Sequence, residues 1–351
     1  DMSVISGNAI NTFNVKEDTA NNIAQGKMTV TDADQSQSYF QSQSQGSATY
    51  GAFLIDVDGN YKYTLNNLSN TVQSLREGEI KTEQYTITSQ DGTASKTLMF
   101  TVQGTNDAAE IGNPSNNQLT EDLNPNTDKL LVATGMISIQ DKDTGQSGFI
   151  TNVLSSADNI GTLVLQESGS YSYLIDNSKI QYLGTSIKHT DTFTVTSIDG
   201  VSKQIGFVTT GVNDPATMAG DITGRVLEAG GVGSPGIPVA SGRLTTTDID
   251  NPSNKFIALS DLNTTYGKYS IDVNGSWTYT LDNANTTVNA LTSTSLSLFD
   301  TFDVQSIDGT PQRITIRITG ADDISPPIVN PDTLFVSSNT AVTLSTNVLQ
   351  I

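Results

Sequence analysis

The chain has 351 residues, a formal net charge of −20 and no cysteine. The negative excess argues against nucleic acid and anionic membrane surfaces as partners, since both are met by Lys and Arg. The lack of cysteine excludes disulfides and zinc–thiolate sites as sources of stability. Apolar residues make up 35%, a low share, but aromatic and β-branched residues are spaced regularly enough to expect a folded chain. No apolar run reaches membrane-spanning length, so no membrane insertion is expected in this segment. No secretory leader opens the sequence, as expected of a piece cut from something longer.

In chain order, the first signal is an acidic start, Val15-Lys-Glu17-Asp18. A strand-like run follows and ends in Asp-x-Asp, Thr29-Val-Thr-Asp-Ala-Asp34. Tyr50-Gly51 then opens a hairpin through Asp58-Gly59-Asn-Tyr61-Lys-Tyr63, and two alternating runs flank Asp91-Gly92. Leu98, Phe100 and Val102 point one way, Met99 and Thr101 the other, and the run closes on Gly104-Thr-Asn106-Asp107. Period-two alternation around Asp-Gly is a strong hairpin signal.

The same landmarks return twice. The second set is Glu121-Asp122, Ser138-Ile-Gln-Asp-Lys-Asp143, Ser168-Gly169-Ser-Tyr171-Ser-Tyr173, Asp199-Gly200 and Gly211-Val-Asn213-Asp214. The third is Val226-Leu-Glu228, Thr245-Thr-Thr-Asp-Ile-Asp250, Asn274-Gly275-Ser-Trp277-Thr-Tyr279, Asp308-Gly309 and Gly320-Ala-Asp322-Asp323, with Ile314, Ile316 and Ile318 alternating in its last strand. Asp32 and Asp141 are 109 residues apart, and Asp141 and Asp248 are 107 apart. A fixed long period means an array of similar units.

No amphipathic helix is expected. Short strands separated by turns every 8–12 residues or so point to sandwiches. The fold class is therefore all-β: three tandem Ig-like, cadherin-like β-sandwiches in an elongated rod. The expected domains are 1–107, 108–214 and 215–323, with 324–351 a stiff linker, Ile324-Ser-Pro-Pro327, and the truncated start of a fourth unit. Asp1 reads as the last residue of an earlier Asn-Asp joint.

These motifs together resemble the VCBS repeat of very large bacterial surface proteins and RTX-type adhesins. The Glu-Asp start, Asp-x-Asp, Tyr-Gly…Asp-Gly-x-Tyr-x-Tyr, Phe-Thr-Val-Thr…Asp-Gly and Gly-Thr-Asn-Asp-Ala segments carry the resemblance over about 320 of the 351 residues. The second unit departs from it, with Glu167-Ser-Gly-Ser where Asp-x-Asp-Gly is usual. The order Glu, Asp-x-Asp, Asp-Gly, Asn-Asp more distantly resembles cadherin domains. The resemblance implies a secreted, extracellular bacterial rod of Ig-like domains. Such a rod binds Ca2+ and projects an adhesive tip for cell adhesion and biofilm formation.

The sharpest site expectation lies at the joints. Asp107 precedes Asp141 by 34 residues, and Asp214 precedes Asp248 by 34. That separation resembles the cadherin distance between the linker acid and the next Asp-x-Asp. Ca2+ takes roughly six to eight oxygens, several of them from carboxylates. The first joint offers Asn106, Asp107, Asp141 and Asp143, with Glu17 from the domain before. The second offers Asn213, Asp214, Asp248 and Asp250, with Glu121. Glu228, Asp322 and Asp323 begin a third site, and Asp32 and Asp34 face a joint before Asp1. Ca2+ within single domains, and carboxylates that only make Asx turns, remain open as alternatives. The acidic pair that cadherins carry before the penultimate strand is expected at Glu77 and Glu79. Lys188 and His189 lie in that region of the second unit, which predicts a weaker second joint.

Other features read as structure. Asp56-Val-Asp58-Gly59-Asn60 lacks the glycine position, closing Glu and helices of an EF-hand and reads as a turn. The pairs Tyr61/Tyr63, Tyr171/Tyr173 and Trp277/Tyr279 share one strand face and read as core rather than as a sugar platform. His189, the sole histidine, has no nucleophile motif around it. Paired carboxylates suit glycoside hydrolysis, but even repetition argues against a single shaped cleft, so no enzyme is expected. The partners expected are neighbouring repeats of the same chain, with the segment itself monomeric. The alternative is a module recognising a glycan or protein, marked by Trp277 and the Gly230–Pro238 loop of the third unit.

Overall fold

The computed structural model describes residues 1–7, 12–34, 36–46 and 48–323. The expected linker and fourth unit lie outside the described residues. The chain divides into two compact units. One comprises Asp1–Ile180 and Ile187–Gly211; the other takes in Gln181–Ser186 and the chain from Val212 onward.

Within the first unit, β1 (Val4–Gly7), β3 (Ile23–Thr31), β4 (Gln43–Gln45), β5 (Gly51–Ile55) and β6 (Asn60–Leu65) form a sheet ordered β1-β3-β6-β5-β4. A second sheet, β2-β8-β7, joins β2 (Thr12–Lys16), β7 (Ile80–Thr88) and β8 (Ser95–Gln103), with β2 parallel to β8. The next pair of sheets comprises β13-β14-β11-β9 and β10-β16-β15-β12. Its strands are β9 (Glu110–Pro114), β10 (Gln118–Thr120), β11 (Leu130–Gln140), β12 (Phe149–Ser155), β13 (Thr162–Leu165), β14 (Ser170–Asp176), β15 (Lys188–Ser197) and β16 (Ser202–Thr210).

The second unit carries β17-β19-β22-β21-β20 and β18-β24-β23. These are β17 (Thr217–Gly220), β18 (Thr223–Leu227), β19 (Val239–Thr247), β20 (Leu259–Asn263), β21 (Gly267–Ile271), β22 (Ser276–Leu281), β23 (Leu298–Gln305) and β24 (Pro311–Thr319). Helix among the described residues amounts to α1 (Asn70–Gln73) and one 3-10 turn (Asn177–Lys179). The fold is thus all-β, built of paired sheets.

Strand β12 departs from its counterparts. β4 and β20 pair with the strands that follow them, β5 and β21, whereas β12 pairs with β15 on the other sheet. A single contact persists in all three places. Phe40, Phe149 and Phe256, all buried, bridge to the buried serines Ser89, Ser197 and Ser306.

The expected alternation is seen. Leu98, Phe100 and Val102 are buried, as are Ile314, Ile316 and Ile318. The paired aromatics of β6, β14 and β22 all face inward, and Tyr63 and Tyr173 stack on Phe100 and Phe207 at 4.5 and 4.4 Å. Gly59, Gly169 and Gly275 sit at φ +84°, +88° and +85° in the hairpin turns. A Cβ on any of them would come within 2.2–2.3 Å of a carbonyl oxygen on the neighbouring strand β3, β11 or β19. Only glycine meets both demands.

Trp277 is fully buried, and its indole N–H donates to the Asp221 carbonyl at 2.9 Å. Its emission is expected to be blue-shifted and unmoved by added sugars. A red-shifted band quenched by saccharides would restore the aromatic-platform reading. The Gly230–Pro238 segment is no free insertion, because Leu227 and Ile237 exchange both backbone hydrogen bonds at 2.9 and 2.8 Å and close it into a hairpin.

Candidate cation site

In the first unit, residues that follow three strands meet. The Glu17 amide donates to the Gln103 carbonyl at 3.0 Å, continuing the parallel β2–β8 pairing and turning the Glu17 side chain inward. Asp18 then takes a left-handed φ of 49°, and its amide is held by Asn67 Oδ1 at 2.9 Å. The short helix α1, capped by Ser69, presents Gln73. The Gln73 amide donates at 3.0 Å to both Glu17 Oε1 and Asp18 Oδ1. Beyond β8, Asp107 completes a triad in which Glu17, Asp18 and Asp107 each place a carboxylate oxygen within 4.8 Å of the others.

The segment after β11 supplies the opposite side. The Asp107 amide donates to Asp143 Oδ2 at 3.1 Å, and the Asp143 amide to Asp141 Oδ1 at 2.8 Å. Asp143 is 1% exposed. Asp107 Oδ2, Asp141 Oδ2 and Asp143 Oδ1 are buried and accept no hydrogen bond from any described residue. Lys142 Nζ lies 3.2 Å from Asp107 Oδ1 and 2.8 Å from Gln73 Oε1. Arg76 Nε donates to the Thr144 carbonyl at 2.6 Å, and the Thr144 amide to the Ser74 carbonyl at 3.2 Å.

The electrostatics follow from this crowding. Burial, then the charges of Asp18, Asp107 and Asp143, push the Glu17 carboxyl up to about 7 against the opposing Thr105 amide. Burial likewise raises Asp141 and Asp143, and neighbouring aspartates add to it. Buried anionic oxygens without partners are costly. Together the set offers several hard oxygens, the donor type that Ca2+ takes.

Asn106 lies at the rim. Its backbone N–H goes to Glu77 Oε2 at 3.2 Å, and its side-chain amide bonds the Asp107 carbonyl at 3.1 Å. Of the expected acidic pair, only Glu77 makes that contact. Glu79, the residue before β7, instead takes its chain neighbours, Lys81 at 2.9 Å and the Arg76 amide at 3.2 Å.

The other expected residues sit as follows. Glu121, also in the first unit, is buried, with its amide on the Thr210 carbonyl at 2.9 Å. In the second unit the Asp214 amide donates to Asp250 Oδ2 at 3.1 Å, and the Asp250 amide to Asp248 Oδ1 at 3.1 Å. Burial, then hydrogen bonding with Asp250, raises the Asp248 carboxyl to about 6. Asn213 Nδ2 lies 3.5 Å from Asp308 Oδ2. Glu228 is buried and raised, with Ala321 N–H at 3.4 Å. Asp322 is engaged by the Ser293 amide and hydroxyl at 3.0 and 2.7 Å, while Asp323 is exposed. Asp32 Oδ1 accepts the Asp34 amide at 2.7 Å and Oδ2 the Ser3 hydroxyl at 2.6 Å; Asp34 itself is exposed.

Sequence reasoning passed over several of these groups. Asn67, Asn177 and Asn283 each accept the amide that follows a buried glutamate. The aspartates of the Asp-Gly turns do more than turn the chain: Asp199 and Asp308 take the Ala109 and Ala216 amides at 3.1 and 3.2 Å. Most notably, each sheet pair buries a carboxylate beneath a tyrosine: Glu83 under Tyr63 at 2.7 Å, Asp191 under Tyr173 at 2.6 Å and Asp300 under Tyr279 at 2.8 Å. The available signal was an acid on the inward phase, two residues before an aromatic: Glu83-x-Tyr85, Asp191-x-Phe193, Asp300-x-Phe302. His189 belongs to this network, with Nε2 2.7 Å from Asp191 Oδ1.

Residues 213–320 match the family model of the bacterial cadherin-like domain. Among solved structures, a protocadherin gammaB7 EC3-6 cis-dimer is 14% identical, with a TM-score of 0.46, over 95% of this chain and 77% of that one. Protocadherin Gamma B2 domains 1-5 are 13% identical with a TM-score of 0.47, over 90% and 60%. Mouse cadherin-23 EC22-24 is 13% identical with a TM-score of 0.43, over 92% and 99%. No curated protein sequence matches the chain. Among the described residues, no helix is long and apolar enough to cross a membrane.

Proposed function

We propose that the chain is an extender segment of a bacterial cell-surface adhesin, in which Ca2+ bound between successive sandwiches stiffens the array and projects a distal adhesive region. The domains proposed are 1–107, 108–214 and 215–323. The observation that carries the reading is the first cluster. Glu17 and Asp18 follow β2 within one sheet pair, Asp141 and Asp143 belong to the next, and Asp107 lies between them with its buried Oδ2 unmatched by any donor among the described residues. A divalent cation there would neutralise the acids and hold the two sheet pairs at a fixed angle. Without it, like charges repel. Asn213-Asp214 with the third Asp-x-Asp, Asp248/Asp250, repeats the residue types, and the cadherin-like match over 213–320 supports the same reading.

Extracellular modules of this kind bind Ca2+ at about 10⁻⁴–10⁻³ M, so such an array would be stiff outside a cell and loose before export. Small-angle scattering with millimolar Ca2+ and with chelator tests the mechanism. A longer, sharper maximum dimension with Ca2+ is expected, and an unchanged one would remove the stiffening role.

A further inference from the structure

The Asp-x-Asp after β11 has a lysine at its centre, where the other copies have Ala33 and Ile249. Lys142 reaches Asp107, the carboxylate grouped with Glu17 and Asp18. Its other partner, Gln73, places its carbonyl oxygen on the ammonium and its amide on Glu17 and Asp18. One glutamine therefore spans the cation and the acids. Across the cluster, the 1%-exposed Asp143 keeps Oδ1 without a donor among the described residues.

We propose that Lys142 is a built-in counter-ion of the first cluster, which competes with a divalent cation for Asp107 and Gln73 and so weakens uptake there. The inference rests on the cation reading above and deepens it. The ion pair itself is a surface one, with the lysine side chain 63% exposed, and such pairs contribute little to stability. Its positive charge still opposes a second cation arriving a few ångströms away. Binding then requires the lysine to swing outward, which releases Gln73 Oε1 as a neutral oxygen ligand.

Calorimetric titration of the intact chain with CaCl2 tests this. Lys142→Met is expected to tighten binding at one site by about three- to tenfold. Lys142→Arg, which keeps the charge, should stay near wild type. Lys268→Met is an exposed control in the second unit with the same change in net charge, and it should leave that site unaltered. In a Glu17→Gln background the effect of Lys142→Met should disappear. If Lys142→Met binds no more tightly than Lys268→Met, the lysine has no such role although the cation reading stands. If none of the chains takes up Ca2+, both fail. Matching melting curves in chelator verify that the variants fold.

Discussion

Replacing Asp191 with alanine is expected to destabilise the sheet pair around it by about 3–5 kcal/mol, the cost of breaking a buried, fully engaged charge. The carboxylate is completely buried. Oδ1 accepts from Ile160 N–H at 2.9 Å and meets His189 at 2.7 Å; Oδ2 accepts from Gly161 N–H and the Tyr173 hydroxyl, both at 2.6 Å. Burial opposes its ionisation, but these donors outweigh it and hold the carboxyl below its ordinary value. Alanine would orphan two amides and a tyrosine hydroxyl, each at about 1–3 kcal/mol. The substitution Asp191→Asn would be milder, since one oxygen acceptor survives. Urea unfolding followed by circular dichroism would measure the loss. A change under about 1 kcal/mol for the alanine variant would show that water replaces the carboxylate without penalty. Asp300, with Thr264, Tyr266 and Tyr279 as donors, should behave alike.

Without divalent cations, the chain is expected to gain stability as pH falls from 8 to 5, the reverse of acid denaturation. Glu17 is held at about 7 and Asp248 at about 6, and Asp141, Asp143 and Glu228 are also raised. A carboxyl raised in the folded state binds protons preferentially there. Its favourable contribution is complete below the unfolded value and disappears as pH climbs through the folded one. For Glu17 that window runs from about 4.5 to about 7, and the full difference is on the order of 3 kcal/mol. Groups held low act oppositely. Asp308 sits at about 2 because its burial is overcome by the Ser306 and Thr310 hydroxyls and the Ala216 amide, and it contributes stability that is lost as pH drops below about 4. The metal-free optimum should therefore lie near pH 4–6. Saturating Ca2+ should remove the loss at neutral pH, because the ion then balances the carboxylates. Glu17→Gln should raise the melting temperature in chelator at pH 8 while leaving it little changed at pH 5. A metal-free melting temperature that is flat or rising between pH 5 and pH 8 would overturn this account.

The sequence by itself determined what depends on neighbouring residues. Strict alternation in β8 and β24 placed Leu98, Phe100, Ile314 and Ile316 in the core, and glycine after Asp58, Ser168 and Asn274 marked the tight turns. The even repeat also brought out the acids that recur at each Asp-x-Asp. Only the tertiary structure decided which carboxylates stay at the surface and which are buried. Glu83, Asp191 and Asp300 lie on the inward phase of their strands, yet charge alone would place them outside. Tyrosine hydroxyls on β6, β14 and β22 and amides at the entry to β5, β13 and β21 resolve that conflict, with Asp300 Oδ1 taken by the adjacent Thr301 amide. Likewise, a spacing of 34 residues cannot tell that the Asp107 amide selects Asp143 rather than Asp141, or that Gln73 and Lys142 enter the same cluster. Those contacts depend on where whole sheets pack, and no local period in the chain encodes that.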